Sequence, residues 1–392
     1  MKRVELKEVR KSYDRRTDVL SGIDVTIEPG EFFVLVGPSG CGKSTILRII
    51  AGLENVTGGE LRIGGKRANH LLPSQRDLSM VFQNYVLYPH LTVQENITFG
   101  LHVKRLSKAE QKQRCLETAE ILGLTDYLKR KPKEISRGHR QRVALARAIV
   151  THAPICLMDE PLSNLEAKLR TKIRSEIRGI QQKLGMTMIY VTNDQTEAMT
   201  VADRLMILNS GEVQQIGKPL HIYNYPVNTF VASFIGARPM NLIEAEVNGS
   251  SLIVDEWTVP MSDMIDLIGK RKRVMIGVRP ENIRAARQDE PGFDVTVANV
   301  EVQGTETLIT FHMGSSDQWI ARLAGQWNLE VGKSLSIYIE DQHLCFFDTS
   351  SSQRIISHAE KLANFRGDLS GEYTAYRNKV EGLEQAVGRV NV

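Results

Sequence analysis

Three stretches of the chain carry residue types that can do chemistry on a phosphate ester. Gly37-Pro38-Ser39-Gly40-Cys41-Gly42-Lys43-Ser44-Thr45 follows the strand-type run Phe32–Val36 and precedes the helical pattern Ile46, Leu47, Ile49, Ile50. That is the spacing and context of a phosphate-binding loop. Its glycines let backbone N–H groups curl around an anion with no Cβ in the way. The helix N-terminus adds positive potential at the same point. Lys43 is expected to reach the β- and γ-phosphates of a nucleoside triphosphate, and the Ser44 hydroxyl to ligate Mg²⁺. A glycine-rich turn ahead of a helix is the plainer reading, and the flanking strand and helix disfavour it.

The second stretch, Ile155-Cys156-Leu157-Met158-Asp159-Glu160, reads as a buried strand with two carboxylates at its tip. Beside a phosphate loop, Asp159 is suited to hold Mg²⁺ through water and Glu160 to polarise the attacking water. Elsewhere such a pair is often only a helix N-cap signal. Third, Asn193 and Asp194 close the strand pattern over 186–192, where γ-phosphate-sensing groups sit in parallel-sheet NTPases. Two single residues join these. Gln83 ends the apolar run Met80-Val81-Phe82 and has an amide oxygen for Mg²⁺ or water, although a Gln after a strand is usually a loop residue. Tyr13, in polar Lys11-Ser12-Tyr13-Asp14, offers a ring on which an adenine could stack, although a lone surface tyrosine is more often structural.

The elements that must position these residues follow from periodicity. Residues 4–36 read as short strands, with Pro29-Gly30 as punctuation, and a further strand is expected over 60–63. Residues 92–150 show helical periodicity interrupted at Gly123, Pro132 and Gly138, which suggests an inserted helical subdomain (about 90–150). An amphipathic helix is expected over 165–184 and a closing strand over 201–208. Past about Gly236 the texture changes to short alternating strands at 242–247, 274–278, 295–302, 307–312 and 335–339, the pattern of a small all-β barrel-like domain. The reading is therefore a nucleotide-binding domain over 1–235, a β domain over 236–350 and a polar, partly helical tail over 351–392.

Composition narrows the class. A chain of 392 residues, 24% charged and with formal net charge +4, is long enough for two domains and too mildly basic for a dedicated nucleic-acid binder. No apolar run approaches the ~18 residues of a membrane helix, and residues 1–16 lack the apolar core of a signal peptide. The four cysteines (41, 115, 156, 345) show no C-x-x-C spacing, which predicts reduced thiols. Cys41, at a helix N-terminus, is expected to react with maleimide and to be protected by ATP.

Together these residues resemble the ATPase subunits of ABC transporters, in the carbohydrate-importer branch that includes the maltose and glycerol-3-phosphate importers. Tyr13 matches the adenine-stacking loop, 37–45 the Walker A motif, Gln83 the Q-loop and 155–160 the Walker B motif. The branch-specific runs are Phe82-Gln83-Asn84-Tyr85 with Leu87-Tyr88-Pro89, Met158-Asp159-Glu160-Pro161-Leu162-Ser163-Asn164-Leu165, and Tyr190-Val191-Thr192 followed by Asp194-Gln195-Thr196-Glu197-Ala198-Met199. The β half matches in Phe234-Ile235-Gly236, Met240-Asn241, Val278-Arg279-Pro280-Glu281 and Phe346-Phe347-Asp348. The resemblance covers roughly residues 3–355. It implies an α/β P-loop NTPase, with a RecA-like core plus helical subdomain, followed by a C-terminal all-β OB-like (TOBE/MOP-type) domain that gives dimer contacts and regulation. It also implies ATP and Mg²⁺ as cofactors, with Ser44, Gln83 and Asp159 around the metal and Glu160, Gln83 and Asn193 around the attacking water. The implied assembly is a head-to-tail homodimer, or a heterodimer with a paralogue. It would sit on two transmembrane permease subunits at the cytoplasmic face of the inner membrane, fed by an extracellular or periplasmic solute-binding protein, with no nucleic acid.

Three departures from the family pattern matter: the signature, the switch histidine and the D-loop aspartate. The signature Leu-Ser-Gly-Gly-Gln is here Ile135-Ser136-Arg137-Gly138-His139. Ser136 and Gly138, the groups implied to meet a partner's γ-phosphate, remain. Arg137 replaces a glycine, at a cost of about 1–2 kcal/mol if that position needs positive φ, unless its guanidinium instead attracts phosphate. The switch histidine is Asn193, and the D-loop aspartate is Glu166. ATP binding is expected to persist and hydrolysis to be slow. A subunit that binds nucleotide with little or no turnover, kept for assembly or regulation, is the alternative. An ABC protein acting on DNA or ribosomes is disfavoured by the β domain.

Overall fold

The computed structural model describes residues 2–355, apart from 15, 84–85, 104–105, 164, 250, 255–256, 261–267, 270, 291 and 315. Asn84, Tyr85 and Asn164 of the motifs above, and the expected tail beyond 355, lie outside the described residues. The chain divides into two compact units, Met1–Leu220 and His221–Val392.

The first unit is built on β3 (Phe32–Val36), whose five residues are all buried. A strand with no polar face must be covered on both sides, and parallel pairing within a helix-flanked sheet does this. β3 lies between β8 (Thr187–Thr192) and β9 (Arg204–Asn209), parallel to both. β7 (Ile155–Asp159) pairs with β8, and β6 (Leu78–Val81) with β7, again in parallel. β10 (Glu212–Gly217) closes the far side antiparallel to β9, giving the order β10-β9-β3-β8-β7-β6. A second, antiparallel sheet holds β1 (Val4–Ser12), β2 (Asp18–Ile27), β4 (Gly58–Ile63) and β5 (Lys66–Arg67) in the order β2-β1-β4-β5. Its Val4, Leu6, Ile23 and Leu61 share one core with Phe33, Leu35 and the helix α1 (Lys43–Ala51).

The inserted helical segment is present as α2 (Val93–Val103), α3 (Lys108–Ile121) and α4 (Arg137–Ile149). Gly138 does not interrupt it. It is the second residue of α4, because the Ser136 side chain caps that helix by accepting from His139 N at 3.3 Å. α5 (Ala167–Leu184) buries Ile173, Ile177 and Ile180 on one stripe and ends at Gly185, left-handed at φ 63. α6 (Gln195–Val201) takes in Val201, so the closing strand starts later than the apolar pattern suggests.

The second unit contains α7 (Pro219–Asn224) from His221 onward and α8 (Thr229–Phe234), then, among the described residues, ten strands. The first sheet comprises β11 (Asn241–Asn248), β12 (Ser251–Val254), β13 (Trp257–Pro260), β14 (Arg273–Val278) and β20 (Cys345–Phe347). The second comprises β15 (Ile283–Ala285), β16 (Phe293–Val302), β17 (Glu306–Met313), β18 (Ser316–Ala324) and β19 (Ser334–Ile339). Their orders are β13-β12-β11-β14-β20 and β15-β19-β16-β17-β18. All pairings are antiparallel and both sheets share one core, as the barrel-like pattern predicts. Asn241 links the sheets: its amide donates to Ile320 O at 2.9 Å and accepts from Ile320 N at 2.8 Å, as a strand neighbour's backbone would.

Arg279 explains the Val278-Arg279-Pro280-Glu281 run. It is 4% exposed and donates to Ala232 O (3.0 Å), Ile235 O (2.7 Å) and Tyr223 O (2.9 Å), with its guanidinium 4.0 Å above the Tyr223 ring. These carbonyls lie at the ends of α7 and α8, where orphan acceptors need donors and a cation is favoured. Arg279→Met should therefore strand buried carbonyls and destabilise the second unit by about 3 kcal/mol. Urea unfolding followed by Trp fluorescence checks this, since Trp257, Trp319 and Trp327 all lie in that unit; an unchanged midpoint would refute it.

Candidate active site

Parallel pairing brings the carboxyl ends of β6, β3, β7 and β8 to one edge of the sheet, where α/β proteins bind ligands. The residues just past those ends are Gln83, the 37–45 loop, Glu160 and Asn193. The loop can turn there because Gly42, the N-cap of α1, takes φ 105. A Cβ on Gly42 would lie 2.6 Å from the Leu20 side chain, and one on Gly37 would lie 2.1 Å from Leu208 O. Lys43 is 4% exposed and folds back to donate to Gly37 O (2.9 Å) and Pro38 O (2.7 Å). The ammonium thus waits inside the loop whose N–H groups would surround a phosphate.

Ser44, at the start of α1, donates its hydroxyl to Asp159 Oδ1 at 2.8 Å, although 115 positions separate them. A hydroxyl and a carboxylate brought together beside a phosphate loop form a hard-oxygen donor set. They fit Mg²⁺, which takes one or two such protein ligands and completes its shell with phosphate and water.

Glu160 adopts φ 45, a left-handed backbone that costs a non-glycine residue about 1–2 kcal/mol. Surrounding bonds hold it there: its N–H donates to Val191 O (3.0 Å), and its carbonyl accepts from Ser163 N (3.3 Å) and Ser163 Oγ (3.1 Å). The turn directs the carboxylate between two amides, Gln83 Nε2 on Oε2 at 3.0 Å and Asn193 Nδ2 on Oε1 at 2.6 Å. Gln83 and Asn193 are thus bonded to Glu160, Ser44 to Asp159, and Lys43 to its own loop. Tyr13, 57% exposed at the end of β1, and Ser136 with Gly138 at the start of α4 take no part in these bonds.

Several expectations change. Arg137 is the exposed first residue of α4 and is not among the described non-glycine residues with positive φ, so the feared backbone strain is absent. His139, in place of the signature glutamine, sets Nδ1 2.9 Å from Ser136 Oγ and packs against the Tyr127 ring at 4.1 Å. Burial, with Arg142 and Arg130 nearby, pushes its pKa down. The Cys41 thiol is 5% exposed and 3.6 Å from Lys43 Nζ, so ready attack by maleimide is not supported. Asp194 does not face the loop as a phosphate sensor. It caps α6 by accepting from Glu197 N (3.0 Å) and pairs with Arg170 (2.9 Å).

Sequence reading missed Arg170 and Glu197. Arg170 also donates to Leu165 O at 3.2 Å, tying the segment after Glu160 to the segment after Asn193. Glu197, 3% exposed, accepts from Tyr190 Oη (2.9 Å) and Thr192 Oγ1 (2.8 Å). The one local signal was its place three residues after the Asp194 cap, which says nothing of burial. Burial above all pushes the Glu197 carboxyl up and Asp194 adds to this, against the hydroxyl bonds and Arg170. A carboxyl with a raised folded pKa favours the folded state most when protonated, and that contribution is lost as pH rises through the folded value. The stability of the native chain relative to Glu197→Gln should therefore fall as pH rises above the ordinary carboxylate range of about 4. Paired melting curves from that pH upward test this; a constant difference would refute it.

Comparison with known proteins agrees with this geometry. Residues 20–163 match the ABC transporter family model and 276–347 the TOBE domain model. The sn-glycerol-3-phosphate import ATP-binding protein UgpC of Cupriavidus metallidurans is 45% identical over 368 residues, which is 92% of this chain and 100% of that one. UgpC 2 of Agrobacterium fabrum is 45% identical over 91% of this chain and 95% of its own. The uncharacterised ABC transporter ATP-binding protein YcjV of Escherichia coli O157:H7 is 44% identical over 90% of this chain and 99% of its own. Among solved structures, a dimeric post-hydrolysis state of the ATP-binding cassette MJ0796 with ADP and phosphate aligns with TM-score 0.51 and 34% identity, over 55% of this chain and 98% of that cassette. With a phosphate loop, a Ser44–Asp159 pair, a carboxylate past β7 and relatives 44–45% identical over 90–92% of its length, this chain belongs to the ABC transporter family, as one of its ATP-hydrolysing subunits.

Proposed function

We propose that this chain binds and hydrolyses ATP to drive import of sn-glycerol-3-phosphate or a sugar-like solute, and that its turnover is slow. The observation that carries the reading is Glu160, held between Gln83 and Asn193 beside the Ser44–Asp159 pair. The names of the UgpC relatives supply the solute class. Lys43 would leave the Gly37 and Pro38 carbonyls for the β- and γ-phosphates, and the loop N–H groups would hold the anion. Ser44 and Asp159, with Gln83 at the edge, would hold Mg²⁺, which supplies neutralisation of charge on the phosphate oxygens. Glu160 would orient the water, and Tyr13 would stack on the adenine.

Slow turnover follows from two residues. Asn193 donates to Glu160 but is uncharged at every pH and cannot exchange a proton with it. Each Glu160 oxygen accepts an amide hydrogen, so an incoming water must compete for the carboxylate. Arg137 projects from the exposed start of α4, beside Ser136 and Gly138, which would face the γ-phosphate bound by the partner. In a dimer of two such chains every site would carry both substitutions. The dimer would act beneath two permease subunits at the cytoplasmic face of the membrane, with solute delivered by a binding protein. Loss of turnover with retained binding is the limiting case, favoured by the short Asn193–Glu160 bond.

Steady-state Mg²⁺-ATP turnover of the chain and of an Arg137→Gly, Asn193→His double variant tests this, with ATP binding measured in both. The double variant should turn over about ten-fold faster at similar ATP affinity. Equal, robust rates would sink the claim of slowed hydrolysis. Turnover by the chain reconstituted with its permease pair should rise when binding protein loaded with sn-glycerol-3-phosphate is added; no rise would count against the solute class.

A further inference from the structure

Lys11 is an unusual lysine. Lysine is rarely buried unless paired, yet Lys11 is 7% exposed while Tyr13, two residues on, is 57% exposed. Its ammonium lies 4.6 Å from the centre of the Tyr13 ring. Two oxygens hold it there, a Glu54 carboxylate oxygen at 3.0 Å and the Asn55 carbonyl at 2.9 Å. Residues 53–57 are themselves tied down. Leu53 N and Glu54 N donate to Arg48 O at 2.9 and 3.3 Å, in the last turn of α1, and Thr57 N donates to Arg10 O at 2.9 Å. Thr57 Oγ1 accepts from Ser12 N at 3.2 Å. Next along the chain after Tyr13, the Asp14 carboxylate accepts from Arg16 N (2.9 Å) and Thr17 N (2.8 Å), closing the turn that follows.

An uninterrupted path therefore runs from the Tyr13 ring through Lys11 to Glu54 and Asn55, then to the C-terminal turn of α1. The N-terminus of that helix is the phosphate loop. We propose that Lys11 is a positioning residue for the nucleotide base, its ammonium fixing one face of Tyr13 against the end of α1 so that the exposed remainder of the ring receives the adenine. This rests on the reading of Tyr13 as the base platform. The physical gain is twofold. A ring held from beneath loses less freedom when a base stacks on it. A cation on one face also draws π density toward itself, which lessens repulsion between the other face and an electron-rich base. Glu54 offsets part of the charge, so anchoring is the larger effect.

Equilibrium binding to the full-length chain tests the proposal, with displacement of a fluorescent ATP analogue by ATP and by inorganic tripolyphosphate, which has the phosphates and no base. Lys11→Met should weaken ATP about three- to ten-fold and leave tripolyphosphate unchanged. Lys11→Arg, which keeps a cation able to lie on the ring, should restore ATP affinity to within about two-fold. Equal weakening of both ligands by Lys11→Met would overturn the proposal, since it would show that Lys11 serves only the α1 scaffold. Tyr13→Ala separates the other failure. If it weakens ATP while Lys11→Met does not, the positioning role is overturned and the platform stands. If Tyr13→Ala leaves ATP affinity unchanged, the platform reading falls and the proposal with it.

Discussion

Parallel pairing of strands that have no polar face is the constraint on which the candidate site depends. β3, β7 and β8 bury every residue, so each must lie inside a sheet covered on both sides. Parallel strands then deliver their carboxyl ends, and the loops beyond them, to a common edge. Residues 37–45, Glu160 and Asn193 meet there for that reason, with Gln83 arriving from β6. The Ser44–Asp159 bond spans 115 residues of sequence because of this strand order.

At that edge the backbone is strained at one residue of the candidate site. Glu160 holds a left-handed conformation, and the bonds from its peptide to Val191 and Ser163 over-determine it. The strained turn is what aims the carboxylate at Gln83 and Asn193. Asn193, where the family pattern has a histidine, donates to Glu160 from a group that does not titrate. Arg137 is a different kind of departure. It sits in ordinary helix and places a charged, bulky side chain at the start of α4.

The second unit solves another problem with similar means. Two antiparallel sheets enclose one core, α8 packs Ala232 in a smaller cluster with Met240 and Phe347, and buried polar side chains complete the backbone bonding where regular elements stop. Asn241 stands in for a strand neighbour between β11 and β18, and Arg279 closes the carbonyl ends of α7 and α8. Each removes orphan backbone groups that burial would otherwise make costly.

Much was legible in the sequence because the relevant signals are local. Glycine spacing, an apolar run ending in Asp-Glu, and a switch from helical to alternating periodicity each depend on a few adjacent residues. They determined the phosphate loop, the Asp159–Glu160 tip, the helical insertion between 92 and 150, and the β-rich half. They did not reveal β12, β13, β15, β18 and β20, whose short or irregular patterns gain meaning only from their neighbours in the sheet. Nor could they show that Ser136 caps α4 and draws Gly138 into the helix, that Asp194 is a cap, or that Cys41 points inward. The burial of Lys11, Glu197 and Arg279 was hidden as well, since a charged residue reads as exposed until its partners, 43, 7 and 44 positions away for Glu54, Tyr190 and Ile235, are brought to it. Sequence determined which chemical groups are present and where the strongly periodic segments form strand or helix, because these are set by neighbours along the chain. Tertiary structure alone decided which groups meet and which are desolvated, because both depend on contacts between segments distant in sequence.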